Sequence, residues 1–287
     1  MHHQEGTFQS SDDLRLYYQF WRPETPIRAV LVAIHGMGGH SGLFGNVVKA
    51  LVPKGYAVYT YDARGNGRSP GQRGYINAWS EFREDLRLFL QWVRSQEPDS
   101  PVFLLGHSVG AVVVLDYGLR CLEEAKTLQG VIISAPIIGS TGVSPIKVWI
   151  GQLLSNVYPR FSLSTGLDSD TGARDLAIVE GYRKDPLRHS QVTARFGSEF
   201  LATVAWIQAH AADWQLPLLI LLGGSDRVAL PDGGRRFFQN AGCLDKEQHE
   251  YPDTYHEIFD DLDRQQVLAD LENWLERHLS PTMTSAV

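Results

Sequence analysis

Short apolar runs alternate with longer amphipathic stretches along most of this chain, and that alternation restricts it to one fold class. Ala29–Ile34, Tyr56–Tyr61, Val102–Leu105, Gly130–Ser134 and Leu216–Leu222 are nearly continuous apolar or β-branched runs of strand length, and Glu247–Tyr251 reads as a further short strand. A strand that is apolar at every position must be covered on both faces. The stretches Gly42–Val52, Trp79–Ser95, Val109–Leu122, Gly233–Ala241 and Asp263–His278 have helical length. In the last, Val267, Leu268, Leu271, Trp274 and Leu275 recur at helical spacing and make one apolar stripe. Such β/α alternation predicts a mostly parallel sheet with helices on both faces. Upstream, Thr7–Ser10 and Leu14–Trp21 flank the turn residues Ser11-Asp12-Asp13 and read as an antiparallel hairpin, which brings the expected sheet to eight strands.

One segment breaks the alternation. From Ala135 to about Phe200 two strands are separated by far more chain than one helix needs. Long excursions of this kind are usually functional. The expected division is therefore a core of residues 1–135 and 201–287 with an inserted helical cap over residues 136–200. Within the cap, Pro145–Leu154 is unusually apolar. It either packs onto the core or shields an apolar acyl pocket, with Trp149 and Leu153 as candidate substrate contacts. The second reading includes a transient contact with a membrane surface.

Gly106-His107-Ser108-Val109-Gly110 reads G-x-S-x-G between an apolar run and a helix-compatible stretch. That strand, turn and helix context points to a nucleophilic serine held on a strained turn. A serine hydroxyl needs a base to take its proton and an acid to orient that base. In this architecture the partners follow in the order Ser, Asp or Glu, His. Asp226 lies just past the apolar run Leu216–Leu222, and His256 lies in the loop after Glu247–Tyr251. His210, His249 and His278 fall in helix-like or strand positions and fit the base role less well. Acyl transfer also needs donors for the developing oxyanion. The N–H of Val109 follows the nucleophile. The N–H of Met37 lies in the glycine-rich loop His35–His40 after Ala29–Ile34. Gly36-Met37-Gly38 with Asp62 superficially suggests a dinucleotide loop, but the sixth position is Ser41 and Ser108, Asp226 and His256 would go unexplained.

These motifs together resemble the monoacylglycerol lipase and lysophospholipase branch of the α/β-hydrolase superfamily, the serine aminopeptidase-like hydrolases. His35–His40 is similar to that family's oxyanion loop and Asp62–Ser69 to its D-x-R-G-x-G-x-S turn. Gly106–Gly110 matches its nucleophile motif. Gly223-Gly224-Ser225-Asp226 and His256-Glu257 match its acid and base segments, and Asp185-Pro186-Leu187 is similar to an element found after its lid. Ala111 departs from the second glycine that many members carry. The resemblance spans roughly residues 8 to 279. It implies an α/β-hydrolase fold with Ser108, Asp226 and His256 as the triad and Met37 and Val109 as oxyanion donors. For Asp62 and Arg64 a structural role is expected, with the buried guanidinium bonded to loop carbonyls and Asp62.

A net charge of −7 argues against a nucleic-acid surface and against electrostatic anchoring to acidic membranes. The two cysteines, Cys121 and Cys243, do not make a disulfide framework, and Cys121 is expected in the core. No secretory h-region opens the chain and no run of about 18 apolar residues occurs, so the expected setting is cytoplasmic, with peripheral contact at a membrane. His2 and His3 are too few for a metal tract, and His256–Asp260 lacks the second histidine of H-E-x-x-H. No cofactor or metal is called for. The expected activity is a serine hydrolase cleaving carboxylic esters, with a small-molecule acyl ester such as a monoacylglycerol or lysophospholipid as substrate. The rivals are a carboxylesterase or thioesterase for small acyl groups and a non-catalytic ligand-binding protein on the same fold. Oligomeric state is not legible from the sequence.

Overall fold

A strand whose every side chain is apolar is soluble only inside a protein, and the central strands here are fully buried. The structure, a computed structural model, describes residues 1–139, 145–165 and 172–279, with the side chains of 145–149 outside the description. In chain order the strands are β1 (His2–Gln9), β2 (Arg15–Arg22), β3 (Ala29–Ile34), β4 (Tyr56–Tyr61), β5 (Val102–His107), β6 (Gly130–Ser134), β7 (Ser162–Ser164), β8 (Gln191–Thr193), β9 (Leu218–Gly223) and β10 (Lys246–Tyr251). The helices are α1 (Gly45–Leu51), α2 (Ser80–Gln96), α3 (Val109–Arg120), α4 (Leu122–Ala125), α5 (Pro145–Val157), α6 (Leu176–Lys184), α7 (Ala194–Ala209), α8 (Asp232–Asn240) and α9 (Arg264–Leu279).

Eight strands form one sheet in the order β1-β2-β4-β3-β5-β6-β9-β10. Pairing is antiparallel for β1 with β2 and β2 with β4, and parallel from β4 through to β10. The two-residue period of a strand divides its side chains between two cores. Val30, Val32 and Ile34 of β3 join α2, α3 and α7 on one face, while Ala29, Leu31 and Ala33 join α1 and α9 on the other. This is the expected α/β-hydrolase sheet with helices on both faces. Among the described residues no helix is long and apolar enough to cross a membrane.

The hairpin is longer than its alternation suggested. β1 starts at His2, because an edge strand needs only one partner and tolerates exposed polar side chains on the other side. Cys121 is only partly buried, at the junction of α3 and α4 rather than in the core.

Between β6 and α7 the chain leaves the sheet. β7 and β8 pair antiparallel as a two-stranded ribbon, and α5 packs on α7. α7 runs through the expected core boundary at residue 200 without a break. Thr193 fixes where it starts: its hydroxyl oxygen accepts the Phe196 N–H while its hydroxyl donates to the Gly74 carbonyl.

Candidate active site

Ser108 sits between β5 and α3 with φ 56° and ψ −118°, a backbone conformation that costs about 1–3 kcal/mol for a residue with a Cβ. Two contacts hold it there. Its N–H donates to the Ser134 carbonyl of the neighbouring strand at 2.9 Å, and its carbonyl accepts the Ala111 N–H at 3.1 Å. Gly110 is required for packing, since a Cβ there would lie 2.2 Å from the Ile34 carbonyl oxygen. The Ser108 hydroxyl makes no capping bond to α3, which leaves it available to a side chain.

That side chain is His256. Its Nε2 lies 2.9 Å from Ser108 Oγ, and its Nδ1 lies 2.7 Å from Asp226 Oδ2. With a carboxylate at Nδ1 the proton resides on that nitrogen, so Nε2 is the acceptor facing the hydroxyl. Asp226 is fixed in turn, because its Oδ1 accepts the N–H groups of Val228 and Ala229 at 2.7 and 2.9 Å. The aspartate thus serves its own turn with one oxygen and the histidine with the other. Burial disfavours the imidazolium of His256, but the charge and hydrogen bond of Asp226, with the charge of Glu257, outweigh it and raise the pKa above the ordinary value. The arrangement can draw a proton from the serine and hold it.

The loop after β3 is shaped by His35. The Ala63 N–H donates to His35 Nε2 at 3.0 Å, which puts the ring proton on Nδ1, and Nδ1 donates to the Gly36 carbonyl at 2.7 Å. Burial pushes the His35 pKa down and keeps the ring neutral. A trans peptide points its carbonyl and its N–H in opposite directions. Anchoring the Gly36 carbonyl therefore fixes the aim of the Met37 N–H. Gly36 lies close against the nucleophile, where an added Cβ would stand 2.9 Å from Ser108 Cβ. Met37 and Val109 both border the same cavity as Ser108 and His256. The Val109 N–H begins α3, where helix amides carry partial positive charge.

The cavity is about 420 Å³ and opens at the carboxyl ends of the strands, where ligands of such sheets bind. The segment from Tyr182 to Ser190 forms part of its wall. This segment grips the loop His35–His40 at three places. His189 donates its N–H to the Gly38 carbonyl at 3.1 Å. Asn66 Oδ1 accepts both the Gly38 N–H at 3.1 Å and His189 Nε2 at 2.9 Å. His40 Nδ1 accepts the Gly42 N–H, so its Nε2 carries the proton and donates to Asp185 Oδ2 at 2.8 Å. On the far side of the site, Glu257 N–H donates to the Gly172 carbonyl, and Arg174 pairs with the fully buried Asp261 at 3.0 Å.

Several of these residues escaped the sequence reading. His107 packs against His256 with ring centroids 5.0 Å apart and the planes inclined by 47°, and its Nδ1 meets Ser134 Oγ at 3.0 Å. Its Nε2 lies 3.1 Å from Glu257 Oε2, off the line of a hydrogen bond. Burial pushes the Glu257 carboxyl up, but His107, Arg188 and His256 outweigh it and hold the group well below the usual carboxylate range. Only adjacency marked these residues in the sequence: His107 inside the serine motif, Glu257 beside His256, Arg188 and His189 after Asp185-Pro186-Leu187. Of the two candidate cap contacts, the Trp149 side chain lies outside the described residues. Leu153 is half exposed and does not border the cavity.

Arg64 is buried but does not bond as expected. It forks onto Asp85 at 2.7 and 2.8 Å, reaches Asp12 at 2.9 Å and lies 3.1 Å from Glu81. Asp62 accepts instead the N–H groups of Ser41 and Arg68. A guanidinium removed from water selects carboxylates over carbonyls, because charged acceptors return more of its lost hydration.

Residues 25–263 match the family model described as serine aminopeptidase, S33. The chain belongs to this family. Within the family it is 31% identical to the monoacylglycerol lipase of Mycolicibacterium smegmatis, over 96% of this chain and 98% of that one. The crystal structure of the Paleococcus ferrophilus monoacylglycerol lipase superposes with a TM-score of 0.82 at 30% identity, covering 92% of this chain and 99% of that one. A soluble variant of the monoglyceride lipase of Saccharomyces cerevisiae, in complex with a substrate analog, gives 0.85 at 26% identity, covering 96% and 94%. The family and these relatives place the chain in the monoacylglycerol lipase-like branch of the α/β-hydrolases, as a carboxylic ester hydrolase.

Proposed function

We propose that the protein hydrolyses glycerol monoesters or lysophospholipid-like esters through an acyl-enzyme on Ser108. The observation that carries this reading is the unbroken hydrogen-bonded series Ser108–His256–Asp226, of which Ser108 and His256 line a cavity, in a chain aligned nearly end to end with a monoacylglycerol lipase. Ser108 Oγ attacks the ester carbonyl as His256 Nε2 takes its proton. The Met37 and Val109 N–H groups receive the oxyanion. His256 returns the proton to the leaving alcohol oxygen, and Asp226 supports the imidazolium meanwhile. A water molecule, deprotonated by His256, then attacks the acyl carbonyl, the bond to Ser108 Oγ breaks, and His256 returns the proton to Oγ as the fatty acid leaves. The electrons and protons balance without a metal or cofactor.

Residues 136–200 act as the cap over this site. On α5 the side chains of Ile150, Leu153 and Val157 recur at helical spacing and are 44%, 50% and 75% exposed, with Tyr158 following. That apolar face supports transient contact with a lipid surface, from which a poorly soluble ester is drawn.

Covalent labelling by a fluorophosphonate, lost in Ser108→Ala, tests the mechanism. A folded wild-type protein that resists labelling would speak for a ligand-binding role. Activity confined to acetyl and butyryl p-nitrophenyl esters would move the assignment to a small-acyl esterase.

A further inference from the structure

One charged group on the cavity wall has no task in the reaction just described. Arg188 borders the cavity with 24% of its side-chain surface open. Three carboxylates share that cavity, and each has partners of its own. Asp185 accepts from His40 and from the Leu187 N–H. Asp260 accepts from the Tyr182 hydroxyl and from Asn46. Glu257 has His107 at 3.1 Å, while Arg188 stands at 3.6 Å, beyond hydrogen-bond length.

The guanidinium is held in place by the Tyr182 ring and by ion-pair contact with Glu257 at 3.6 Å, without a hydrogen bond among the described residues. Its central carbon lies 4.0 Å from the centroid of the Tyr182 ring. Its Nη1 is buried and has no hydrogen-bond partner among the described residues. A guanidinium carries five N–H donors in a planar fork, and the ligand that satisfies such a fork is a phosphate or carboxylate. The position suits the alcohol half of an ester. Arg188 lines the same cavity as His256, the base that protonates the leaving oxygen, and as Met37 of the oxyanion loop.

We propose that Arg188 receives an anionic group on the alcohol half of the substrate, so that the preferred ester is a phosphate-bearing lysophosphatidate-like lipid rather than a neutral monoacylglycerol. This rests on the ester-hydrolase reading above and sharpens it.

The test compares 1-oleoylglycerol with 1-oleoylglycerol 3-phosphate in the same neutral mixed micelles. Wild type is expected to favour the phosphate ester in kcat/KM by about ten-fold or more, and Arg188→Met to reduce that ratio by about ten-fold, with Arg188→Lys between them. Glycerol 3-phosphate is expected to compete with the neutral ester far better than glycerol does. The wild-type ratio and the competition need no variant, so a misfolded Arg188→Met cannot shelter the idea. A wild-type ratio near one overturns the proposed preference, and a preference that Arg188→Met leaves standing in protein that still unfolds cooperatively overturns its assignment to Arg188. No turnover of either ester and no fluorophosphonate labelling overturns the parent reading, and this one with it.

Discussion

His189 donates its backbone N–H to the carbonyl of Gly38 at 3.1 Å, and this bond joins the Tyr182–Ser190 segment to the loop that carries Met37. The approach is tight enough to depend on the absence of a side chain. A Cβ at Gly38 would lie 1.8 Å from the His189 carbonyl oxygen, and Gly38 also has φ +65°. Position of the Met37 loop and position of the Tyr182–Ser190 segment are therefore one variable.

Gly38→Ala should separate the two segments. The clash is with backbone, which cannot rotate away, and the left-handed φ adds about 1 kcal/mol for a residue with a Cβ. Because the Met37 donor moves with the loop, kcat is expected to fall by about 10²-fold, in the range seen when one oxyanion donor is lost. Steady-state kinetics on a soluble ester check this. Undiminished kcat in a variant with altered melting temperature would uncouple the loop from catalysis.

The same clamp should weaken in acid. Gln191 N–H donates to His189 Nδ1, so the docked ring is neutral, and burial with the charge of Arg73 pushes its pKa down to about 4. A released segment would titrate near the ordinary 6.5. Above that value neither state binds the proton and docking is unaffected. As pH falls from about 6.5 toward about 4, the released state gains a proton that the docked state refuses, and docking weakens. Amide exchange in 185–190, corrected for intrinsic rates, should be faster at pH 5 than at pH 7.5. Equal protection at both would refute it.

What the sequence made legible was governed by local rules. Uninterrupted apolar runs such as Leu218–Leu222 can only be interior strands, and the turn after β5 needs glycines wherever backbones touch. Ser108, Asp226 and His256 were locatable because each lies in a loop following a strand. The structure brings their side chains within hydrogen-bond distance. The missing parts depend on contacts between distant segments, which have no local signature. Arg64 finds Asp12 in the turn between β1 and β2 and Asp85 in α2, and Asp185 finds His40 across 145 residues. Tyr182, Arg188 and Glu257 form one cluster only once the Tyr182–Ser190 segment folds back.

Asp226→Asn tests the relay itself. Wild-type kcat/KM should fall below a pH above the ordinary histidine value, because Asp226 raises the pKa of His256 and the protonated ring cannot accept from Ser108. An amide at position 226 removes that attraction and permits the wrong tautomer. The acid limb should then move to lower pH while kcat drops by about 10³–10⁴-fold. An acid limb that stays in place would mean the limb belongs to another group.

Arg64→Met leaves Asp85, which is fully buried, without its counter-charge. Removing one partner of a buried pair costs about 3–5 kcal/mol, so the melting temperature should drop by about 10 °C. Arg64→Met with Asp85→Leu should recover a large part of this, since the uncompensated charge has gone. Calorimetry of the three proteins decides. An undisturbed melting temperature in the single variant would show that water reaches Asp85 and that the cluster is dispensable.

Contact with lipid should reside in the exposed face of α5. Leu153 and Val157 are 50% and 75% exposed, so neither is needed to complete the core, and each is worth about 1.5–3 kcal/mol when fully buried. Partial insertion recovers a fraction of that, and Leu153→Ser with Val157→Ser should weaken co-sedimentation with phosphatidylcholine vesicles by about ten-fold. Net charge is −7, so long-range attraction to acidic lipid cannot compensate. Vesicle binding that the double variant leaves unchanged would remove α5 as the contact surface. A matching loss of turnover on a water-soluble butyrate ester would place these side chains in the substrate path instead.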